Sequence, residues 1–298
     1  MWAMGSAVDQ DVAPPDVRVV AARFWPEWDW SAARATNGAF HQVAVLPDGP
    51  VARVTIGRDG SRRAAREHRI LRILSTSDFP LRIPEPLATS EEATAAGAVL
   101  MSQVPGRPSL DVADRSQFRM KVYAETLTLF RQIPVSCLTD LPPPRSWCGG
   151  MLWTEIVAEE LVPRLSADAG AAASAAIEDV LSSETEEVTF CHGDFGPHNM
   201  LWAGDDLSGL IDLDHACLGD PATDIAPLIG FHGARAASQL CSSAVLQRAM
   251  LLRATLPLQV AASAVLAGLD GLRDHALHNF RRRVAHGTLF DPEGMTPE

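Results

Sequence analysis

The reading turns on His192-Gly193-Asp194-Phe195-Gly196-Pro197-His198-Asn199, followed by the apolar runs Met200–Ala203 and Leu207–Leu213 around Gly204-Asp205-Asp206. Apolar runs joined by Gly and Asp predict a β-hairpin. A turn centred on Asp205–Asp206 sets Asn199 opposite Asp212, an amide oxygen beside a carboxylate. Asp194 precedes Asn199 by five positions, on the loop entering the first strand. Three oxygen groups thus converge as a candidate magnesium and hydroxyl-activation site. Turn chemistry alone would explain any one of these residues, but not the whole string with Ile211-Asp212 eighteen positions past Asp194.

The string His-Gly-Asp, four residues, Asn has the spacing of a kinase catalytic loop, in which Asp takes the hydroxyl proton and Asn binds metal. With Ile211-Asp212, Gly219-Asp220-Pro221 and Asp224 it resembles the aminoglycoside phosphotransferase and choline kinase family. The resemblance implies an α+β, protein-kinase-like fold in two lobes. Residues 1–103 would form a small antiparallel-sheet N-lobe, and residues 104–298 a larger, mainly helical C-lobe.

Bulk properties bound the alternatives. Hydrophobic content of 47% and charged content of 21% suit a globular enzyme. A net charge of −12 argues against a nucleic-acid partner, which needs a basic face. The five cysteines form no Cys-x-x-Cys pair, which favours a reducing cytoplasm over a disulfide scaffold. The N-terminus lacks a basic-then-apolar pattern, so no signal peptide is expected. The apolar stretch from Ala254 to Leu269 is short and broken by Thr255, Pro257, Gln259 and Ser263, which predicts a buried helix and no membrane partner. Lys121 is the single lysine and no Gly-Lys-Ser/Thr surrounds it, which excludes a Walker A loop. No pattern sets an oligomeric state.

The N-terminal part reads as a helix over Val17–Trp30, whose tryptophans serve packing, then strands Phe40–Leu46 and Val51–Ile56 joined by Pro47–Pro50. Arg62–Leu74 reads as a helix burying Ile70, Leu71, Ile73 and Leu74. Its arginines Arg62, Arg63, Arg66 and Arg69 read as a solvated face. A hairpin is expected around Glu91–Gly97, and helices over Gln117–Ile133, Trp153–Leu165 and Ala171–Leu181. Leu289–Glu298 reads as a frayed tail.

Carried onto these segments, the resemblance implies further roles. Asn37-Gly38 would open the nucleotide-covering loop. Arg53, where the family usually has lysine, would grip phosphates and be steadied by Glu67. Met101, Ser102 and Val104 would contact the adenine of ATP, or the base of GTP. Asn199 and Asp212 would hold Mg2+, and Asp194 would act on a small-molecule hydroxyl. Asp214 would share a strand face with Asp212 and help with metal or substrate. The wording near 38–43 and 192–202 is most similar to antibiotic kinases of the viomycin and capreomycin type, so a cationic acceptor is expected, with Glu155 and Glu159 near it. Aminoglycoside, macrolide, choline and homoserine acceptors stay open. Two other classes are a metal-dependent hydrolase using His192, Asp194 and His198, and a nucleotide-binding module without catalysis.

Overall fold

The computed structural model describes residues 15–90, 97–108, 116–183 and 185–297. Helix α1 (Val17–Phe24) starts where the Asp16 carboxylate accepts the Arg18 amide at 2.9 Å. It stops before Pro26, short of the expected Trp30, because a residue preceding proline is driven out of the helical region. Trp25 and Trp30 are buried, and Trp30 Nε1 donates to the Trp25 carbonyl at 2.9 Å. Trp28 stays exposed.

Five antiparallel strands follow in the spatial order β1-β2-β3-β5-β4: β1 (Arg34–Asn37), β2 (His41–Val45), β3 (Val51–Thr55), β4 (Pro86–Thr89) and β5 (Ala98–Met101). β1 is an addition to the expected strands. All four of its residues are exposed, so no alternation marked it. Helix α2 (Gly60–Ser75) packs behind β3, β4 and β5 and buries Ile70, Leu71 and Leu74. Arg62 stays exposed as expected, while Arg63, Arg66 and Arg69 depart from a solvated face. Arg63 and Arg66 are half-buried, Arg66 Nη1 donates to the Ser146 carbonyl at 3.1 Å, and Arg69 Nη2 donates to the Asp140 carbonyl at 2.8 Å. Most of the hairpin expected at Glu91–Gly97 lies outside the described residues.

Past the connector at 102–106, β6 (Arg107–Pro108) joins a second sheet with β8 (Met200–Ala203) and β9 (Asp206–Leu210), while β7 (Thr189–Cys191) pairs with β10 (Cys217–Gly219). The rest is helical: α3 (Ser116–Gln132), α4 (Trp153–Ile156), α5 (Ala167–Ser182), α6 (Ala222–His232), α7 (Ala234–Ala237), α8 (Ser243–Ala267) and α9 (Asp270–Ala285). The helix expected over Trp153–Leu165 passes from α4 into a π-helical turn at Val157–Leu161 and a 3-10 turn holding Pro163.

Helix α8 is long and apolar enough to cross a membrane, but 67% of its most apolar window is buried within the protein. Its polar groups find partners there: Gln259 Nε2 donates to Thr255 Oγ1 and Ser263 Oγ to the Trp147 carbonyl. The segment after α9 is docked at Leu289–Asp291, while 292–296 are exposed. Asp291 is fully buried and accepts the Ala234 amide at 2.6 Å, and Arg253 donates to the carbonyls of Thr288 and Leu289. Composition at a chain end carries no sign of such caps.

The apolar core that joins the two parts runs from α2 (Ile70, Leu71, Leu74) through α3 (Tyr123, Phe130) to the 190–213 segment (Phe190, Phe195, Met200, Leu210, Leu213), with two further clusters in the helical part and beneath the five-stranded sheet. Each such large side chain contributes about 1.5–3 kcal/mol on burial. The helix that carries Glu67 and the loop that carries Asp194 are therefore set against the same packed interior.

Candidate active site

The loop 192–199 leaves β7 and is held by one buried carboxylate. Asp224, near the start of α6, accepts the His192 amide at 2.9 Å and the Gly193 amide at 2.8 Å. Burial pushes its carboxyl up to about 7, against the pull of those two amides. Gly193 sits at φ +86°, where an added Cβ would lie 2.4 Å from the His215 carbonyl oxygen, so glycine alone fits. His192 is fully buried. Its Nε2 donates to the Ile211 carbonyl at 3.0 Å and its Nδ1 accepts the Asp194 amide at 3.3 Å. Both ring nitrogens are thus engaged by backbone, which leaves none for a metal and removes the hydrolase reading of His192. Burial lowers its pKa to about 4, so the ring is neutral at pH 7.

Asp194 points into the cleft with 37% of its side chain exposed. Its Oδ2 accepts from His198 Nε2 and Asn199 Nδ2, each at 3.1 Å, and the Asn199 amide also reaches the Asp194 carbonyl at 2.9 Å. Burial opposes ionisation, but the His198 hydrogen bond and the nearby imidazoles outweigh it and hold the carboxyl at about 2. Asp194 Oδ1 has no side-chain partner among the described residues. His198 was not expected in this role; it lies one position before Asn199, where proximity alone gave no direction.

The hairpin turns on Gly204-Asp205, one position before the expected centre, so its ladder starts two residues from the expected register. Ala203 pairs with Asp206 and Trp202 with Leu207, then a bulge shifts the ladder so that Leu201 faces Gly209 and Met200 faces Leu210. Asn199 consequently faces Ile211, whose amide donates to its carbonyl at 3.0 Å. Asp212 lies beyond the strand with φ 65°, a left-handed conformation that Asp tolerates. Asp214 is in the following turn, so the two carboxylates do not share a strand face. They meet instead at one cation.

That cation is Arg53, 9% exposed in the middle of β3. Nη1 donates to Glu67 Oε1 at 2.5 Å, Nη2 donates to Asp212 Oδ1, and Asp214 Oδ2 lies 3.7 Å from Nη2. Burial works against the guanidinium's charge, and Asp212, Glu67 and Asp214 more than offset it, raising its pKa. Burial also raises Glu67 to about 7 and Asp212 to about 6, with Arg53 pulling both back. Asp214, 8% exposed, is held well below the usual range despite burial, first by Arg53 and then by His215 and His41.

His41 completes the clamp. Its Nδ1 lies 3.0 Å from Arg53 Nη2, and a guanidinium only donates, so Nδ1 accepts and the ring proton sits on Nε2. Nε2 faces Glu67 Oε2 at 3.9 Å and Asp214 Oδ2 at 3.8 Å. His41 was missed in the sequence, although a signal existed. Arg53 pairs with Val43, and His41 is two positions along the same strand face.

The remaining candidates fall in three places. Asn37 and Gly38 are exposed at the β1–β2 turn, closed by the Gly38 amide to the His41 carbonyl at 2.7 Å, and Arg63 lies over the neighbouring Phe40 ring at 6.0 Å. Met101 and Val104 are buried at the end of β5 and in the connector, where the Ser102 amide is spent on the Glu85 carbonyl at 2.9 Å. Among the described residues the Ser102 carbonyl and the Val104 amide have no partner. Glu155 and Glu159 are exposed on α4 and the π-helical turn, and no bond joins them to the Asp194 cluster.

The donor set suits a hard divalent cation. Asn199 commits its amide nitrogen to Asp194, which leaves Oδ1 as a ligand atom. Asp212 is 37% exposed beside it. Three carboxylates (Asp212, Asp214 and Glu67) face one fixed cation and Asp194 stands beyond them on the loop, so oxygen ligands and excess negative charge coincide.

Comparison with known proteins agrees with this geometry. The model of the phosphotransferase enzyme family matches residues 36–258. Viomycin phosphotransferase of Streptomyces vinaceus is 30% identical over 217 residues, 66% of this chain and 72% of that protein. Among solved structures, the GDP complex of aminoglycoside 2'-phosphotransferase-IIIa superposes with a TM-score of 0.72 at 15% identity, covering 92% of this chain and 100% of that one. The macrolide 2'-phosphotransferase MphH from Brachybacterium faecium gives 0.59 at 17% identity, over 89% and 97%. The fold is the two-part kinase-like one, a sheet-bearing N-terminal part over a helical C-terminal part. Since the matched span takes in every group of the cluster from His41 to Asp224, the chain belongs to the phosphotransferase enzyme family.

Proposed function

We propose that this enzyme transfers the γ-phosphoryl group of ATP, or of GTP, to a hydroxyl of a cationic antibiotic, a viomycin- or capreomycin-type cyclic peptide ahead of an aminoglycoside. The observation that carries the reading is the meeting of Asp194, Asn199 and Asp212 across from the buried Arg53–Glu67 pair. A loop base, a metal-binding amide and carboxylate, and a phosphate-gripping cation are the parts phosphoryl transfer needs. The 30% identity to viomycin phosphotransferase supports the acceptor class.

In this reading Asp194 Oδ1 receives the acceptor's hydroxyl proton, while His198 and Asn199 fix the carboxylate through Oδ2. Asn199 Oδ1 and Asp212 hold Mg2+, which supplies charge neutralisation on the phosphates. Arg53 grips phosphate oxygens, and its bonds to Glu67 and His41 hold the fork in place. The turn at Asn37-Gly38 covers the phosphates, and the Ser102 carbonyl and Val104 amide pair with the base beside Met101. Acidic residues draw the acceptor: between Met151 and Gly230 the sequence has 16 carboxylates against one arginine, Arg164. Glu155 and Glu159 belong to that field, and Asp214 braces the cleft through Arg53.

The test is a nucleotide-consumption screen with Mg-ATP and Mg-GTP over viomycin, capreomycin, aminoglycosides, macrolides, choline and homoserine. A cationic antibiotic is expected to be the best acceptor, with a phosphorylated product by mass. Preference for choline, homoserine or a macrolide would overturn the acceptor assignment, and no transfer to any alcohol would overturn the reaction.

A further inference from the structure

The connector between α3 and α4 touches the active site through one aromatic contact. Trp147 lies parallel to the His215 imidazole, ring centroids 4.2 Å apart and planes at 14°, the one parallel stack among the described aromatic pairs. His215 is in turn the surface on which the catalytic loop rests, since Gly193 packs so closely on its backbone that a Cβ would come within 2.4 Å of its carbonyl oxygen. The preceding residue, Asp214, faces Arg53 at 3.7 Å.

The other side of Trp147 is equally fixed. Ser263 Oγ of α8 donates to its carbonyl at 3.0 Å, and Arg66 of α2 donates to the preceding Ser146 carbonyl at 3.1 Å. Arg66 is the neighbour of Glu67, so the connector is bonded to the helix that steadies Arg53. Immediately beyond, Gly149 and Gly150 take positive φ, and Met151 and Leu152 stand 92% and 57% exposed. An exposed apolar lip next to a half-buried indole is a surface for a ligand larger than water. A tryptophan serving only the helical core would be expected to bury its ring against aliphatic side chains. Trp147 does pack against the helical core of α4, α5, α8 and α9, and it also spends a face on a polar ring in the turn beneath the catalytic loop.

We propose that Trp147 is a positioning residue that ties the seat of the acceptor to the loop carrying Asp194. The inference rests on the phosphotransfer reading above. An acceptor bound along 147–152 bears on the indole, the indole fixes His215, and His215 supports Gly193 at the head of the catalytic loop. The hydroxyl and Asp194 are thereby brought into register, and nucleotide binding, which uses Arg53 and the 37–40 turn, is left to other residues.

The test compares Trp147→Ala, Trp147→Leu and Trp147→Phe, with viomycin, or whichever alcohol the screen yields, as acceptor. Trp147→Ala is expected to lower acceptor kcat/KM about 10- to 100-fold, the scale of a small misplacement of reacting groups. A larger share of ATP should then go to water, with Mg-ATP affinity within about twofold of wild type. Trp147→Phe, which keeps a flat ring, should recover most of the loss; Trp147→Leu, which keeps bulk without a stack, should not. If Trp147→Ala fails to fold, the Phe and Leu variants decide by the same split. Acceptor kinetics within about twofold of wild type in the Leu variant would overturn the proposal. So would Phe and Leu variants that lose nucleotide affinity, acceptor turnover and melting temperature together, which is the mark of packing alone. Wild-type enzyme that phosphorylates no alcohol is a different outcome, and it removes the phosphotransfer reading itself.

Discussion

The two sides of this active site are built on opposite plans. The catalytic-loop side is local: Asp194, His198 and Asn199 lie within six positions, the loop that carries them is held at His192 and Gly193 by Asp224, and the Asp194 carboxylate remains partly open to solvent. The clamp side is assembled from four distant segments, with His41, Arg53, Glu67 and Asp214 all buried around a single guanidinium. A local, half-exposed group can be removed with little harm to the fold. A buried charge cannot, because its partners are left unpaired in a medium that solvates them poorly. Chemistry and stability should therefore separate on one side of the cleft and fall together on the other.

The largest effect is expected from the loop. Asp194→Ala should cut transfer about 10²–10⁴-fold, the range for a positioned proton acceptor, with nucleotide affinity and melting temperature close to wild type. Turnover above about a tenth of wild type would take Asp194 out of the base role. Arg53→Ala tests the other side. It strands Glu67, Asp212 and Asp214, so a loss of about 3–5 kcal/mol in stability is expected together with a raised KM for ATP. Arg53→Lys keeps a point charge and should retain measurable activity, though one ammonium cannot reproduce the fork that spans Glu67, His41 and Asp212. An alanine variant with unchanged melting and unchanged KM would dissolve the contrast between the two sides.

Asp224 sharpens the comparison, because it is a buried charge placed on the local side. Its pKa is raised to about 7 from an ordinary 3.8, chiefly by burial. The native state then holds a proton that the unfolded chain releases earlier. The associated stability is complete below about pH 4 and is lost as pH rises through about 7. The slope is at most about 1.4 kcal/mol per pH unit. Asp224→Asn should flatten that part of the melting profile between pH 4 and 7 relative to wild type. Profiles that stay parallel would mean that the two loop amides already keep the carboxylate ionised in that range.

Legibility follows the same division. Asp194 and Asn199 could be read because contiguous residues on one loop must be neighbours, and Arg53 with Glu67 because a strand followed by a helix fixes their order. Asn199 and Asp212 pair one step out of register because the turn falls on Gly204-Asp205, one position before its expected centre, which offsets the ladder by two, and the bulge between Leu201 and Trp202, which no turn residue marks, recovers one. His41, Trp147 and His215 were not foreseen as part of the site. Each of the three enters through a contact across the fold: His41 to Arg53, Trp147 to His215, and His215 to Gly193. Arg66 and Arg69 read as solvated because helix periodicity reports which face is apolar, not which long polar side chains reach another segment.

The smallest expected effect concerns the acceptor and sets the helical side against the clamp. The 151–230 block carries 16 carboxylates and one arginine in sequence, yet Glu155, Glu159 and Glu160 are fully on the surface and unbonded to the site. Their influence is consequently a field rather than a contact. Such a field is screened within about 8 Å at physiological salt, so it acts on encounter more than on the bound state. Acceptor kcat/KM should fall severalfold from low to physiological ionic strength with Mg-ATP saturating, and kcat should hardly change. Glu155→Gln combined with Glu159→Gln should weaken that dependence without altering nucleotide affinity. A neutral or anionic acceptor that works well, with kcat/KM indifferent to salt, would show that the acidic helix surface serves solubility alone and would bring homoserine-like alcohols forward as substrates.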